Sequence, residues 1–237
     1  MPDNTVAIVT GANRGLGLET SRQLAKLGYH VLLTSRNEEG GQAVREALLN
    51  EGLDVSYHQL DVRSDASIEA LVNHFRQHHQ RLQVLVNNAG IFPDPAPQSA
   101  ESSIFSADIE TILEGFDTNT LGPFRVCRAL IPLMDGTGCV VNVSSGMGQL
   151  SEMNGCCPAY RLSKTALNAL TRIFSEELKQ TRIKINSICP GWVRTDMGGE
   201  EATLSIPDGV KGIIWAATLE EDGPSGGFFR FGEPIAW

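Results

Sequence analysis

The sequence predicts an α/β chain: a doubly wound parallel sheet of seven strands with helices on both faces. Two observations carry this. Short β-branched runs alternate with longer segments of helical period, the pattern of a parallel sheet covered on both sides. The 237 residues show no internal repeat, linker or low-complexity tract, so 1–237 is expected to form one domain.

The elements follow in order. Thr5-Val-Ala-Ile-Val-Thr10 is a buried strand. A glycine-rich turn and a helix to about Leu27 come next, with Leu16, Thr20, Leu24 and Leu27 on one face and Gly28 as the stop. His30 to Thr34 is the second strand, 38–50 a helix, Val55 to Leu60 the third strand, and the helix from about Ser64 carries Ile68, Leu71, Val72 and Phe75. Leu82 to Val86 is the fourth strand. Pro93, Pro95 and Pro97 make Phe92 to Ser106 a loop. A long helix from about Ala107 to Met134 is expected to bend near Gly122-Pro123. Cys139 to Val143, a helix from Pro158 to about Lys179, Ile183 to Ile188, a helix over 207–219, and an edge strand over 227–231 complete the chain.

A formal charge of −9, spread along the chain, argues against nucleic acid or an anionic membrane as partner. No apolar run reaches the ~20 residues that span a bilayer. Met1-Pro2-Asp3-Asn4 leads straight into a strand, which leaves no room for a signal peptide. Five cysteines without a C-x-x-C pair suggest neither disulfides nor zinc and favour a reducing compartment. A cytoplasmic location is the expectation.

Thr10-Gly11-Ala12-Asn13-Arg14-Gly15-Leu16-Gly17 joins the first strand to the first helix. Glycine there lets a pyrophosphate approach the backbone, and the helix start offers unpaired N–H groups to the anion. The second strand ends Thr34-Ser35-Arg36, without the carboxylate that an NAD site uses on the ribose hydroxyls. Arg36, with Arg14 from the glycine loop, can pair with a 2′-phosphate, so NADP(H) is the expected cofactor. The alternative is that both arginines are solvated surface charges. After the third strand, Asp61 and Val62 are placed on the cofactor, Asp61 accepting from the adenine amino group or capping the next helix.

These segments, with Asn87-Asn88-Ala89-Gly90, Ser144-Ser145, Tyr160-x-x-x-Lys164 and Pro190-Gly191-x-x-x-Thr195 in order, resemble the short-chain dehydrogenase/reductase family and its Rossmann fold. The tail, Val193 to Met197, Gly223 to Gly226, Phe228-Phe229 and Trp237, is similar to the carbonyl-reductase-like branch. That branch carries a longer insertion before its tyrosine. Its absence leaves the long helices free to pair as a homodimer.

Tyr160 and Lys164, four apart, share a helix face. A lysine ammonium beside a phenol of pKa ~10, with the positive nicotinamide of the oxidised cofactor, favours the phenolate; a drop of ~3 units needs about 4 kcal/mol. Tyr160 is then the general acid in reduction and the base in oxidation. Ser145 stabilises the carbonyl oxygen; its rival Ser144 points to the other side of an extended strand. The resemblance implies that Lys164 holds the nicotinamide ribose and that Asn119 of Asn119-Thr-Leu-Gly122 relays a proton through water; a polar residue satisfied at a helix kink is the other reading. Asn88 is expected to brace the sheet beside Ala89, Gly90 to make room for the adenosine ribose, and Thr195, after Val193, to contact the carboxamide.

Phe92, Met147, Met153, Trp192 and Met197 are candidate walls for a hydrophobic ketone, aldehyde or quinone. Two other functions share the residues. A 3-oxoacyl-carrier-protein reductase would present a basic patch beside the substrate loop, and none is evident. A non-catalytic NADP(H) sensor or scaffold would typically lack Tyr160 or Lys164. His74 and His78 have helical metal-clamp spacing but no third ligand, so no metal is expected.

Overall fold

The computed structural model describes residues 5–237; the amino-terminal tetrapeptide used above against a signal peptide lies outside them. Seven strands form one parallel sheet: β1 (Val6–Val9), β2 (His30–Ser35), β3 (Val55–Gln59), β4 (Leu82–Asn87), β5 (Thr137–Val143), β6 (Arg182–Cys189) and β7 (Phe228–Arg230). An eighth, β8 (Glu233–Pro234), runs antiparallel to β7. The expected seven-stranded sheet is corrected to eight, and β7 is not the edge. Gly232, at φ 84°, turns the chain back, and two residues of pairing are too short to show any period. The order 3-2-1-4-5-6-7-8 reverses direction between β1 and β4, where such sheets open a ligand crevice at their carboxyl ends.

Alternation along the strands builds two cores. Ala7 and Val9 of β1 enter one apolar cluster with Leu24 of α1 (Gly15–Lys26) and Leu48 of α2 (Glu38–Asn50). Val6 and Ile8 enter the other with Ile68, Leu71 and Phe75 of α3 (Asp65–His78). Both faces are apolar because both are covered.

The long helix is broken further upstream than Gly122-Pro123. It comprises α4 (Ile109–Phe116), a π-helical turn over Asp117–Leu121, and α5 (Gly122–Leu130), with a 3-10 turn over Ile131–Met134. Pro123 has no N–H to donate, so the ladder fails in the turn before it. Asn119, in that turn, bonds outward instead of along its own helix. The remaining helices are α6 (Pro158–Glu177), α7 (Ile206–Gly209) and α8 (Lys211–Ala217). Among the described residues, no helix is long and apolar enough to cross a membrane.

Candidate active site

The glycine loop is locked to the β4 exit. The Thr10 hydroxyl accepts from the N–H groups of Asn88 and Ala89, both at 3.0 Å, and the Asn88 amide donates to the Thr10 and Gly11 carbonyls at 2.9 and 3.0 Å. Asn88 therefore braces the loop with its side chain. Gly17 is obligatory: a Cβ there would lie 2.3 Å from the Gly11 carbonyl oxygen. Leu16 packs towards Gly209, and Thr195 lies against Gly15, which brings the segment after β6 over the loop. In that segment Gly191 takes φ 81° after Pro190, and Val193 is buried and bridges to Leu204.

Helix α1 begins at Arg14 with no side-chain cap and no acid in its first turn. Its leading N–H groups and partial positive charge are thus left for an external anion, which fits the pyrophosphate of a dinucleotide. Asn13 reaches towards Gly40 at the start of α2. Arg36 is exposed at the end of β2, while Arg14 pairs across the loop with Asp196. Burial would raise the Asp61 carboxyl, but hydrogen bonds from Arg63 and the charges of Arg63 and Arg36 outweigh it and hold the group below its usual range. The α3 cap is Ser64, whose hydroxyl accepts from Ser67 N–H; Asp61 does not fill that role. Val62 buries its side chain against Gly122, so only its backbone can face a ligand.

The catalytic candidates converge at the carboxyl end of β5. Ser144 turns inward and donates to Asn168 Oδ1 at 2.7 Å. Ser145 turns outward; its hydroxyl accepts from Met147 N–H at 3.1 Å and lies near enough to the Tyr160 phenol to lower its pKa. Lys164 Nζ donates to the Val143 carbonyl at 2.8 Å and lies 5.6 Å from the centre of the Tyr160 ring. Asn119 is satisfied three times: Oδ1 accepts from Ile91 N–H at 2.8 Å, and Nδ2 donates to the Ile91 carbonyl at 2.9 Å and Ser163 Oγ at 3.0 Å. Gly90 lies against Asn119 and Lys164, so the space it leaves is at the catalytic end of the crevice.

Burial dominates the electrostatics of the Tyr160 and Lys164 pair. Burial pushes the Tyr160 phenol up to about 12, against the hydrogen bond from Ser145, which lowers it. Burial also pulls the Lys164 ammonium down to about 8. Desolvation is the largest cause for both side chains, and it favours the neutral phenol and the neutral amine.

Sequence reasoning missed Asp94. From the proline-rich loop its carboxylate accepts the N–H groups of Ala159 and Tyr160 at 3.0 and 2.7 Å, so it caps α6 from 65 and 66 residues away. A signal existed: α6 starts at Cys157-Pro158, and a cysteine N-cap cannot satisfy the orphan donors. Of the apolar walls, Phe92 packs against Tyr160 with ring centres 4.7 Å apart and planes tilted by 40°, and Met153, Trp192 and Met197 are exposed near the same edge. His74 and His78 stack at 4.3 Å, and among the described residues no group of three or more ligands could hold a metal.

The family model for short chain dehydrogenase matches residues 5–204. The chain belongs to that family. This short-chain dehydrogenase is 35% identical to human Carbonyl reductase [NADPH] 1 over 94% of its own length and 95% of the relative's. It is 33% identical to the bovine protein of the same name, over 99% of each. Among solved structures, it superposes on NADPH-bound carbonyl reductase from chicken fatty liver with a TM-score of 0.86 and 28% identity over 99% of both chains. Carbonyl reductase Sniffer of D. melanogaster gives 0.86 and 32%, again over 99% of both. The bovine alignment runs over 281 positions, longer than the 237 residues here, so the relative carries segments that this short-chain dehydrogenase lacks.

Proposed function

We propose that this chain is an NADPH-dependent oxidoreductase that reduces the carbonyl of a hydrophobic ketone, aldehyde or quinone to the alcohol. The observation that carries the reading is buried Tyr160 with Lys164 beneath its ring, anchored on Val143 just before Ser145 at the carboxyl edge of the sheet. The similarity to NADPH carbonyl reductases supports cofactor and reaction type.

NADPH, when bound, supplies the hydride. The uncapped start of α1 receives its pyrophosphate, and Arg36, assisted by Arg14, receives the 2′-phosphate. Ser145 donates a hydrogen bond to the substrate oxygen, where negative charge develops. Tyr160 gives that oxygen its proton. A phenol near 12 is fully protonated at neutral pH, the form an acid needs. Lys164, anchored on Val143, holds the nicotinamide ribose and refills the phenol's proton through water ordered by Asn119. Asp61 takes the adenine amino group, and Thr195 the carboxamide. Phe92, Met153 and Trp192 shape an apolar wall.

NADPH oxidation against ketones, aldehydes, quinones and acyl thioesters tests the substrate class. Preference for acyl thioesters would replace it with an acyl-carrier reductase, and no turnover with tight NADPH binding would mean a sensor. Tyr160→Phe should lower kcat by about 10²–10⁴-fold with NADPH affinity unchanged; undiminished turnover would end the mechanism. Exposed Ile109, Leu113, Leu162 and Ile173 on α4 and α6 support a homodimer, which light scattering at the monomer mass would refute. The odd cysteine count and absence of a C-x-x-C pair support a cytoplasmic location, to be tested by fractionation.

A further inference from the structure

The segment that starts the catalytic helix holds two neighbouring cysteines in an unusual conformation. Cys156 has φ 67° and Cys157 φ 51°, so two consecutive non-glycine residues sit in the left-handed region. Each such residue is strained, because its Cβ crowds the following carbonyl oxygen. In an extended chain neighbouring side chains point to opposite faces; a left-handed pair swings them towards one another. The sulfurs lie 3.4 Å apart. Cys157 is fully buried, whereas Cys156 is half-buried and reachable.

The backbone around them is pinned. Arg161 Nε donates to the Cys156 carbonyl at 2.9 Å, and Cys157 N–H donates to the Ser102 carbonyl at 2.8 Å. Asp94 holds the next two free N–H groups. Among the described residues, no other pair of cysteine sulfurs is in contact.

We propose that Cys156 and Cys157 are a dithiol modification site that hydrogen peroxide converts to a vicinal disulfide, lowering turnover reversibly. The Cys156 sulfur attacks one peroxide oxygen, the O–O bond breaks, and a sulfenic acid and one water form. The Cys157 sulfur attacks the Cys156 sulfur, the S–O bond breaks, and the hydroxyl leaves as a second water with the Cys157 proton. Two thiols lose two electrons and the peroxide gains them. Burial holds the Cys157 thiol up at about 12, which suits it to the slower, resolving step.

Bond formation brings the sulfurs from 3.4 Å to about 2.05 Å. The Cα atoms, about 3.8 Å apart across a trans peptide, are closer than the roughly 4.4–6.8 Å of ordinary disulfides. Such a ring is strained, and strained disulfides are readily reduced. The adjustment falls on the φ and ψ angles that launch α6, three residues before Tyr160, and displaces the phenol from Ser145. Only this effect on turnover rests on the reductase reading; the dithiol stands without it.

The NADP⁺-loaded protein is treated with hydrogen peroxide, alkylated with N-ethylmaleimide and mapped by mass spectrometry. The peptide holding both cysteines should lose two hydrogens and take no label, and turnover should fall about fivefold or more and return with dithiothreitol. Cys156→Ser should keep its turnover through the same treatment. Two labelled thiols after peroxide, or oxygen gained on one sulfur with the other still labelled, would overturn the site. A disulfide without loss of turnover, or equal loss in Cys156→Ser, would overturn the coupling to Tyr160. The mass readout needs neither a variant nor a substrate, so its failure is distinguishable from failure of the reductase reading.

Discussion

Replacing Lys164 by methionine should make the protein more stable near neutral pH while it removes activity. Lys164 is 5% exposed, and burial alone takes its pKa from 10.5 to about 8. Among the described residues no carboxylate pairs with it; its bond is to the neutral Val143 carbonyl. A shift of about 2.5 units is worth about 3 kcal/mol. Between pH 8 and 10.5 the unfolded chain holds more protons at this site than the folded one, so native stability rises with pH through that window. Below it the fold carries the whole cost of a buried charge. Methionine keeps the stem and removes the charge, but it leaves the Val143 carbonyl unpaired at about 1–2 kcal/mol. The net gain near neutral pH is then about 1–2 kcal/mol, or roughly 2–8 °C in Tm for a chain of this size. By about pH 10.5 the gain should turn into a loss of similar size. Melting curves of both proteins without nucleotide, taken at steps across this range, measure it. A Tm difference that stays constant with pH, or a methionine variant less stable at neutral pH, would refute the assignment of the low lysine pKa to burial.

Three further expectations follow from the same structure. Arg36→Ala should weaken NADPH by about tenfold or more and NADH hardly at all; Arg14→Ala should cost less, because Arg14 already shares its charge with Asp196. Titrations that show equal losses for both nucleotides would remove the 2′-phosphate role. Asp94→Ala, which strips the cap from α6, should cost about 2 kcal/mol and lower kcat more than it raises the KM for NADPH, with Asp94→Asn intermediate; unchanged melting and kcat would leave Asp94 without a role. His79 is held down to about 4 by burial first and then by His30, His74 and His78. It stays neutral in the fold but takes a proton when unfolded, so stability should be complete above about pH 6.5 and fall towards pH 4. His79→Gln should flatten that decline, and an identical acid profile would exclude His79 as its source.

Most strands and helices were legible because burial imposes a period: the two cores divide β1 into Ala7 and Val9 against Val6 and Ile8, and the chain shows the same alternation. The α2 limits, Glu38–Asn50, coincide with the expected ones because Asn37 caps the start. That Ser144 faces away from Ser145 was legible for the same geometric reason, and Ser144 bonds inward to Asn168. What escaped depends on partners distant in sequence. Asp94 reads as one more loop acid until α6 arrives beneath it. Asp196 binds Arg14 from 182 residues away. The π turn at Asn119 answers to Ile91 and Ser163, which no local pattern announces.

The burial of Tyr160 points to a direction for the reaction. The ammonium of Lys164 and the positive nicotinamide of the oxidised cofactor are expected to favour a phenolate. Depth in the protein opposes it: a pKa near 12 leaves about one phenol in 10⁵ ionised at neutral pH. That population serves an acid and starves a base. Carbonyl reduction asks the phenol only to surrender a proton it already holds. Alcohol oxidation must first make the phenolate, at about 7 kcal/mol near neutral pH for a pKa some five units higher. Unless other charges lower that cost, the forward rate constant for reduction should be nearly flat across neutral pH, whereas oxidation should rise about tenfold per pH unit. Parallel pH profiles for the two directions would show that the phenol does not govern them.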